Sequence, residues 1–151
     1  MDKENTIDHQ LRATWQAVAK MYNEQAVKHD STMSTAFVLL NIDKQNGTSS
    51  TALGPLMGME PTSLSRILKS MEDKGAITRE KNPKDGRGII IKLTDYGKTM
   101  REISKGHVIQ FNECVSANIS TKDLEGFFKV TSTINKLIAD REIFHRNKKV
   151  S

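Results

Sequence analysis

A mainly α-helical fold with one small β-hairpin is what this chain of 151 residues predicts, and three observations predict it. Apolar residues recur at helical spacing through most of the length. Serine, threonine, proline and glycine punctuate that pattern where helices start and stop. Two short isoleucine-rich runs flank a loop dense in turn residues, the pattern of a two-stranded hairpin.

In chain order, Ile7, Leu11, Trp15, Val18, Met21 and Tyr22 mark a long amphipathic helix from Ile7 to about Val27. Ser31 or Ser34 caps the next helix, in which Phe37, Leu40 and Asn41 share a face and Gly47 supplies the stop after Asn46. Thr48, Ser49 and Ser50 form a fresh capping cluster, followed by Leu53, Leu56 and Met57 until Gly58 breaks the pattern. After a tight turn, Pro61 takes the first position of a helix whose Leu64, Leu68 and Met71 lie on one face until Lys74-Gly75 ends it. The opposite face carries Ser63, Arg66, Lys69 and Ser70.

Ala76 to Lys81 and Gly88 to Leu93 are the two hairpin strands, joined by Asn82-Pro83-Lys84-Asp85-Gly86-Arg87. Thr94 or Asp95 caps the following helix, which runs through Met100, Ile103, Val108, Phe111 and Val115 to about Asn118, with Gly106 interrupting the middle as a kink or a soft spot. Ser120-Thr121-Lys122-Asp123 opens the last helix by capping chemistry. Leu124, Phe127, Phe128, Thr131, Ile134, Leu137 and Ile138 carry it to about Phe144, before a frayed basic tail from His145 to Ser151. No repeat and no Pro/Gly/Ser-rich linker divides the chain, so one folding unit is expected over residues 1–151.

Composition removes several function classes. The longest purely apolar stretches, Ala36 to Leu40 and Ile89 to Ile91, fall far short of the roughly 20 residues of a membrane-spanning helix, so no membrane partner is expected. No apolar segment of the kind a secretion signal carries follows the polar N-terminus, and a reducing cytoplasm is the expected compartment. The lone Cys114 agrees with it; at helical spacing from Phe111 and Val115, this thiol is expected buried and inert. The four histidines show no metal-ligand spacing, so neither metal nor cofactor is expected. Gly97-Lys98-Thr99 mimics the end of a phosphate-binding loop, but Lys92 stands where that loop needs its first glycine. With no nucleophile elbow and no paired acid-base carboxylates, an enzyme is not expected.

The element order describes a winged helix-turn-helix with long flanking helices. Its physics suits duplex DNA, because a major groove about 12 Å wide admits one helix whose N-terminal side chains reach base edges. Thr62, Ser63, Ser65, Arg66, Lys69 and Ser70 are the candidate contacts there. Arg66 can fork two bonds to guanine or clamp a phosphate, and Lys69 suits a phosphate. The hairpin loop adds Lys81, Lys84 and Arg87, with Gly86 and Gly88 permitting close approach and Arg87 the candidate for the minor groove. Asp85 would repel phosphates unless it orients an arginine, Arg79 or Arg87. A net charge of +5 favours a polyanionic partner. The competing reading is a protein-interaction module of the same fold, for which a polar helix face paired with a cationic wing is unnecessary.

Three stretches then resemble the MarR family of bacterial winged-helix regulators: Leu53-Gly54 through Met59, Pro61 through Arg66, and Met71-Glu72-Asp73-Lys74-Gly75-Ala76-Ile77. Asp85-Gly86-Arg87, followed by Leu93-Thr94-Asp95-Tyr96-Gly97, is similar to that family's D-x-R wing and L-T-x-x-G signature. The resemblance implies dimerisation helices over about 1–30 and 95–146, a winged helix-turn-helix over about 34–94, and a homodimer on a pseudo-palindromic operator. It also implies a small aromatic effector that releases DNA, with no ligand residues carried over. Gly54 and Pro55 depart from the family pattern and predict a distorted or late-starting helix; Gly86 replaces a second wing arginine, and Glu60 is a poor cap.

Overall fold

A computed structural model describes residues 2–145, so the expected frayed tail lies outside them from Arg146 on. After a single 3₁₀ turn at Lys3–Asn5 come α1 (Ile7–Val27), α2 (Met33–Asn41), β1 (Thr48–Ser49), α3 (Ser50–Met57), α4 (Pro61–Asp73), β2 (Ile77–Lys81), β3 (Ile89–Leu93), α5 (Asp95–Asn118) and α6 (Thr121–Ala139). The chain divides into two compact units, one ending at Val108 and one beginning at Ile109.

The first unit is organised around one apolar cluster. Val38, Leu39 and Ile42 from the α2 end, Leu53 from α3, Leu64, Leu68 and Met71 from α4, Ala76, Ile77 and Ile91 from the sheet and Met100 from α5 are all buried in it. The i, i+4, i+7 pattern of α4 therefore does face the core, which leaves its polar stripe outward. The sheet is antiparallel with strand order β1-β3-β2. In the hairpin, Ile77 stands opposite Leu93 and Lys81 opposite Ile89, so the tip lies between Lys81 and Ile89.

Several elements end or begin where sequence signals did not place them. The cap of α2 is Thr32, whose hydroxyl accepts the Thr35 N–H at 3.1 Å, rather than Ser31 or Ser34. That helix stops at Asn41, not Asn46, because Ile42 turns into extended backbone to bury its side chain in the core. The Asp43 carboxylate then accepts the Gln45 and Asn46 amides and folds the chain back. Gly47, at φ +73°, crosses β3, where a Cβ would come within 2.6 Å of the Ile91 carbonyl oxygen; it is a crossing point, not a helix stop. Thr48 and Ser49 form β1 against Ile91 and Ile90, and Ser49 is also the N-cap residue of α3, without a side-chain capping bond.

Helix α3 starts at Ser50 and does not start late. Pro55 lacks the N–H that would bond the Thr51 carbonyl, and Thr51 is exposed, so water can take the vacant acceptor. Gly54 is buried, with room for a Cβ only at 3.4 Å from the Met59 carbonyl oxygen. The turn after it closes through Gly58 at φ +60° and through Met59 N–H to the Gly54 carbonyl at 3.1 Å. Helix α5 runs without interruption through Gly106, from Asp95 to Asn118.

In the second unit, Ser120 caps α6, accepting the Asp123 N–H at 3.1 Å and donating to the Asp123 carboxylate at 2.6 Å. The helix ends at Ala139, short of Phe144, with Arg141 in the left-handed region at φ +56°. No residue of α6 is buried, and Phe127, Phe128, Val130 and Ile138 are more than half exposed. Cys114 is exposed as well, which overturns the expected buried thiol: helical spacing groups residues on a face but does not say whether the subunit covers that face.

Candidate nucleic-acid interface

Helix α4 has an open N-terminus. Glu60, its N-cap residue, makes no side-chain capping bond, and Pro61 at the first turn has no N–H to satisfy. The first main-chain bond at this end is Leu64 N–H to the Glu60 carbonyl, 3.1 Å. The amides of Thr62 and Ser63 thus stand at the positive end of the helix, where an anion is favoured. Thr62, Ser63, Ser65, Arg66, Lys69 and Ser70 are all exposed, on the side of the helix away from Leu64, Leu68 and Met71.

The wing is shaped from its own backbone. Asn82 N–H donates to the Gly88 carbonyl at 2.9 Å, Gly88 N–H to the Asp85 carbonyl at 3.0 Å, and the Asn82 side-chain oxygen accepts the Lys84 N–H at 3.0 Å. Asp85 accepts the backbone N–H of Arg87 at 3.1 Å. It therefore orders the tip through main chain rather than by holding a guanidinium. Arg79 pairs instead with Glu72 at the end of α4, Nε to Oε2 at 3.4 Å, and so ties the wing's strand to the helix. Lys81, Lys84, Asp85 and Arg87 are exposed.

Ion pairs sort the cations. Lys69 is shared with Asp73, one helical turn on, at 3.5 Å, and Lys92 with Glu80 at 2.8 Å. Among the described residues Arg66, Lys81, Lys84 and Arg87 form no ion pair. These four charges are free for an external polyanion. The Glu72 partner of Arg79 was not legible from sequence, because the two belong to different elements whose approach is set by packing.

The L-T-x-x-G stretch explains how α5 is docked against this lobe. Thr94 N–H donates to the Ala76 carbonyl at 3.1 Å, its hydroxyl donates to the Gly75 carbonyl at 2.5 Å, and the same hydroxyl accepts the Gly97 N–H at 3.0 Å. A Cβ on Gly97 would lie 2.0 Å from the Ala76 carbonyl oxygen. Only glycine allows that approach.

A narrow cleft opens on another side of the same unit, lined by residues of α1, α2 and α5 with the turn after α1. Phe37 stacks on Trp15 at a centroid separation of 6.4 Å and meets Tyr22 edge-on at 5.9 Å. His29 and His107 face each other at 6.0 Å. Burial raises the Tyr22 phenol above its ordinary pKa.

Sequence comparison matches residues 32–89 to the MarR family. The HTH-type transcriptional regulator SarZ of Staphylococcus saprophyticus is 29% identical over 130 residues, covering 81% of this chain and 89% of that protein. Among solved structures, the MepR–DNA complex of S. aureus superposes with a TM-score of 0.77 at 17% identity, covering 89% of this chain and 98% of that one. The PcaV regulator of Streptomyces coelicolor, solved with its natural ligand, gives 0.76 at 19% identity, covering 90% and 96%. At such identities the two structures speak for the fold, a winged helix. The segment matched to the MarR family model runs from the cap of α2 to the first residue of β3, which is the lobe that carries both the open helix and the cationic wing.

Proposed function

We propose that this protein is a sequence-specific, duplex-DNA-binding transcriptional regulator that works as a homodimer in the cytoplasm. One observation carries the reading: four unpaired cations, Arg66 on α4 and Lys81, Lys84 and Arg87 on the wing, project from one compact lobe whose helix also presents open amides. A protein partner needs no such arrangement, whereas a duplex offers phosphates to the amides and wing and base edges to the helix. Thr62, Ser63, Ser65 and Ser70 add hydroxyl contacts, and Lys69 reaches phosphate by exchanging Asp73 for it. Arg79 and Asp85 position the wing, through Glu72 and through the Arg87 amide respectively.

The exposed apolar side chains of α6 are suited to a second copy, and two-fold pairing matches a pseudo-palindromic operator. No helix among the described residues is long and apolar enough to cross a membrane. An effector that releases DNA acts through the cleft between α1, α2 and α5. The direct test is selection of genomic fragments by the purified protein, followed by footprinting. A shared palindrome is the expected result, and recovery of fragments with no common sequence would overturn the reading.

A further inference from the structure

The cleft proposed above for the effector also holds His29 and His107, whose ring nitrogens take no part in the proposed DNA contacts. Its lining residues include those two histidines together with Met33 and Met100. Met100 is buried and His29 exposed, so the lining spans from core to surface. Its free volume is about 20 Å³, enough for a water-sized guest and too little for an aromatic ring without rearrangement.

Ring geometry points the same way. An imidazole nitrogen lies about 2.0 Å from a bound ion, which puts each ring centroid about 3.2 Å from it, so two rings on one ion stand roughly 5 to 6.4 Å apart. The observed 6.0 Å fits that span. Among the described residues no group of three or more His, Cys, Asp or Glu side chains could hold a metal ion, which disfavours zinc and harder ions. Two methionines lining the same cleft as two histidines instead offer a soft donor set, and soft sulfur donors select copper(I).

We propose that this cleft is a copper(I) site built from His29, His107, Met33 and Met100. The turn that carries His29 also carries Asp30, whose carbonyl and carboxylate accept the Lys74 ammonium at 2.8 and 3.4 Å. Lys74 is the C-cap of α4. An ion drawn between the two histidines would pull on that turn, and through Lys74 on the helix proposed to read DNA. Only this last link rests on the DNA-binding reading; binding of the ion does not.

The full-length reduced protein is titrated anaerobically with copper(I) against the chromophoric chelator bicinchoninate, without DNA. One equivalent per subunit is expected, with nitrogen and sulfur scatterers in the copper X-ray absorption spectrum. Met33→Leu and Met100→Leu, which conserve volume and keep the fold, each weaken uptake by about 10-fold or more, as does His107→Gln. Cys114→Ser leaves uptake unchanged. No uptake against the chelator, unchanged uptake in the methionine variants, or loss of uptake in Cys114→Ser would each overturn the proposal. Operator binding with and without the ion is measured separately: copper uptake by a protein that binds no DNA keeps the site and removes the regulator reading.

Discussion

Single residues of the DNA-facing surface divide by what holds them. Arg66 is unpaired and sits on the outward face of α4, so Arg66→Ala is expected to weaken operator binding by about 1–3 kcal/mol and to relax preference at one base pair. Arg87→Ala, on a tip shaped by main-chain bonds, should weaken all duplexes alike; fluorescence anisotropy on matched and mismatched sites separates the two. Gly97 is set by contact rather than by turn conformation, since its Cβ position collides with Ala76. Gly97→Ala should therefore lower the urea midpoint by an amount equivalent to about 1–3 kcal/mol. At Glu102 the Lys44 ammonium, 3.1 Å away, holds the carboxyl below its ordinary pKa. A depressed folded-state pKa contributes stability above the unfolded value and loses it as pH falls through the folded one. Glu102→Gln should accordingly lower stability slightly near neutrality, leave it unchanged in acid below the folded-state pKa, and so flatten the acid limb of the profile, as denaturant melts across pH would read.

Elements were legible in proportion to how local their causes are. Helices α1 and α4 lie where periodicity and punctuation put them, because a long apolar stripe, a proline at the start and a glycine after the end are signals contained in the segment itself. The strand β1 was hidden, since Thr48 and Ser49 look like capping residues until β3 arrives beside them. The early stop of α2 had the same origin: a buried Ile42 outweighed helix continuation. For α6 the capping residues marked the start, whereas the end five residues earlier than expected follows Arg141 entering the left-handed region. Its exposed phenylalanines belong to the proposed pairing of subunits. Phe127→Glu should shift the protein from two subunits to one in sedimentation velocity, and an unaltered distribution would remove α6 from the interface.

The whole molecule adds electrostatics that no single element possesses. A net charge of +5 is modest, yet the lobe of α4 and the wing alone carries four cations in no ion pair among the described residues, Arg66, Lys81, Lys84 and Arg87. Binding through them must release counterions, so the logarithm of operator affinity should fall linearly with the logarithm of salt, with a slope of about −0.9 for each phosphate neutralised. Removing Arg87 should make that slope shallower by about one phosphate. A titration from low to physiological salt measures it, and an affinity indifferent to salt would contradict the proposed interface.

By itself the sequence determined the winged-helix order, the outward stripe of Thr62 to Ser70 and the basic hairpin tip, because periodicity, caps and turn residues act over a few positions. The tertiary structure alone decided which partners those residues hold: Glu72 for Arg79, the Arg87 amide for Asp85, Ala76 against Gly97, and His29 across from His107. Such pairs join positions far apart in the chain or in different elements. Their approach depends on how the core packs, a property that no local pattern encodes.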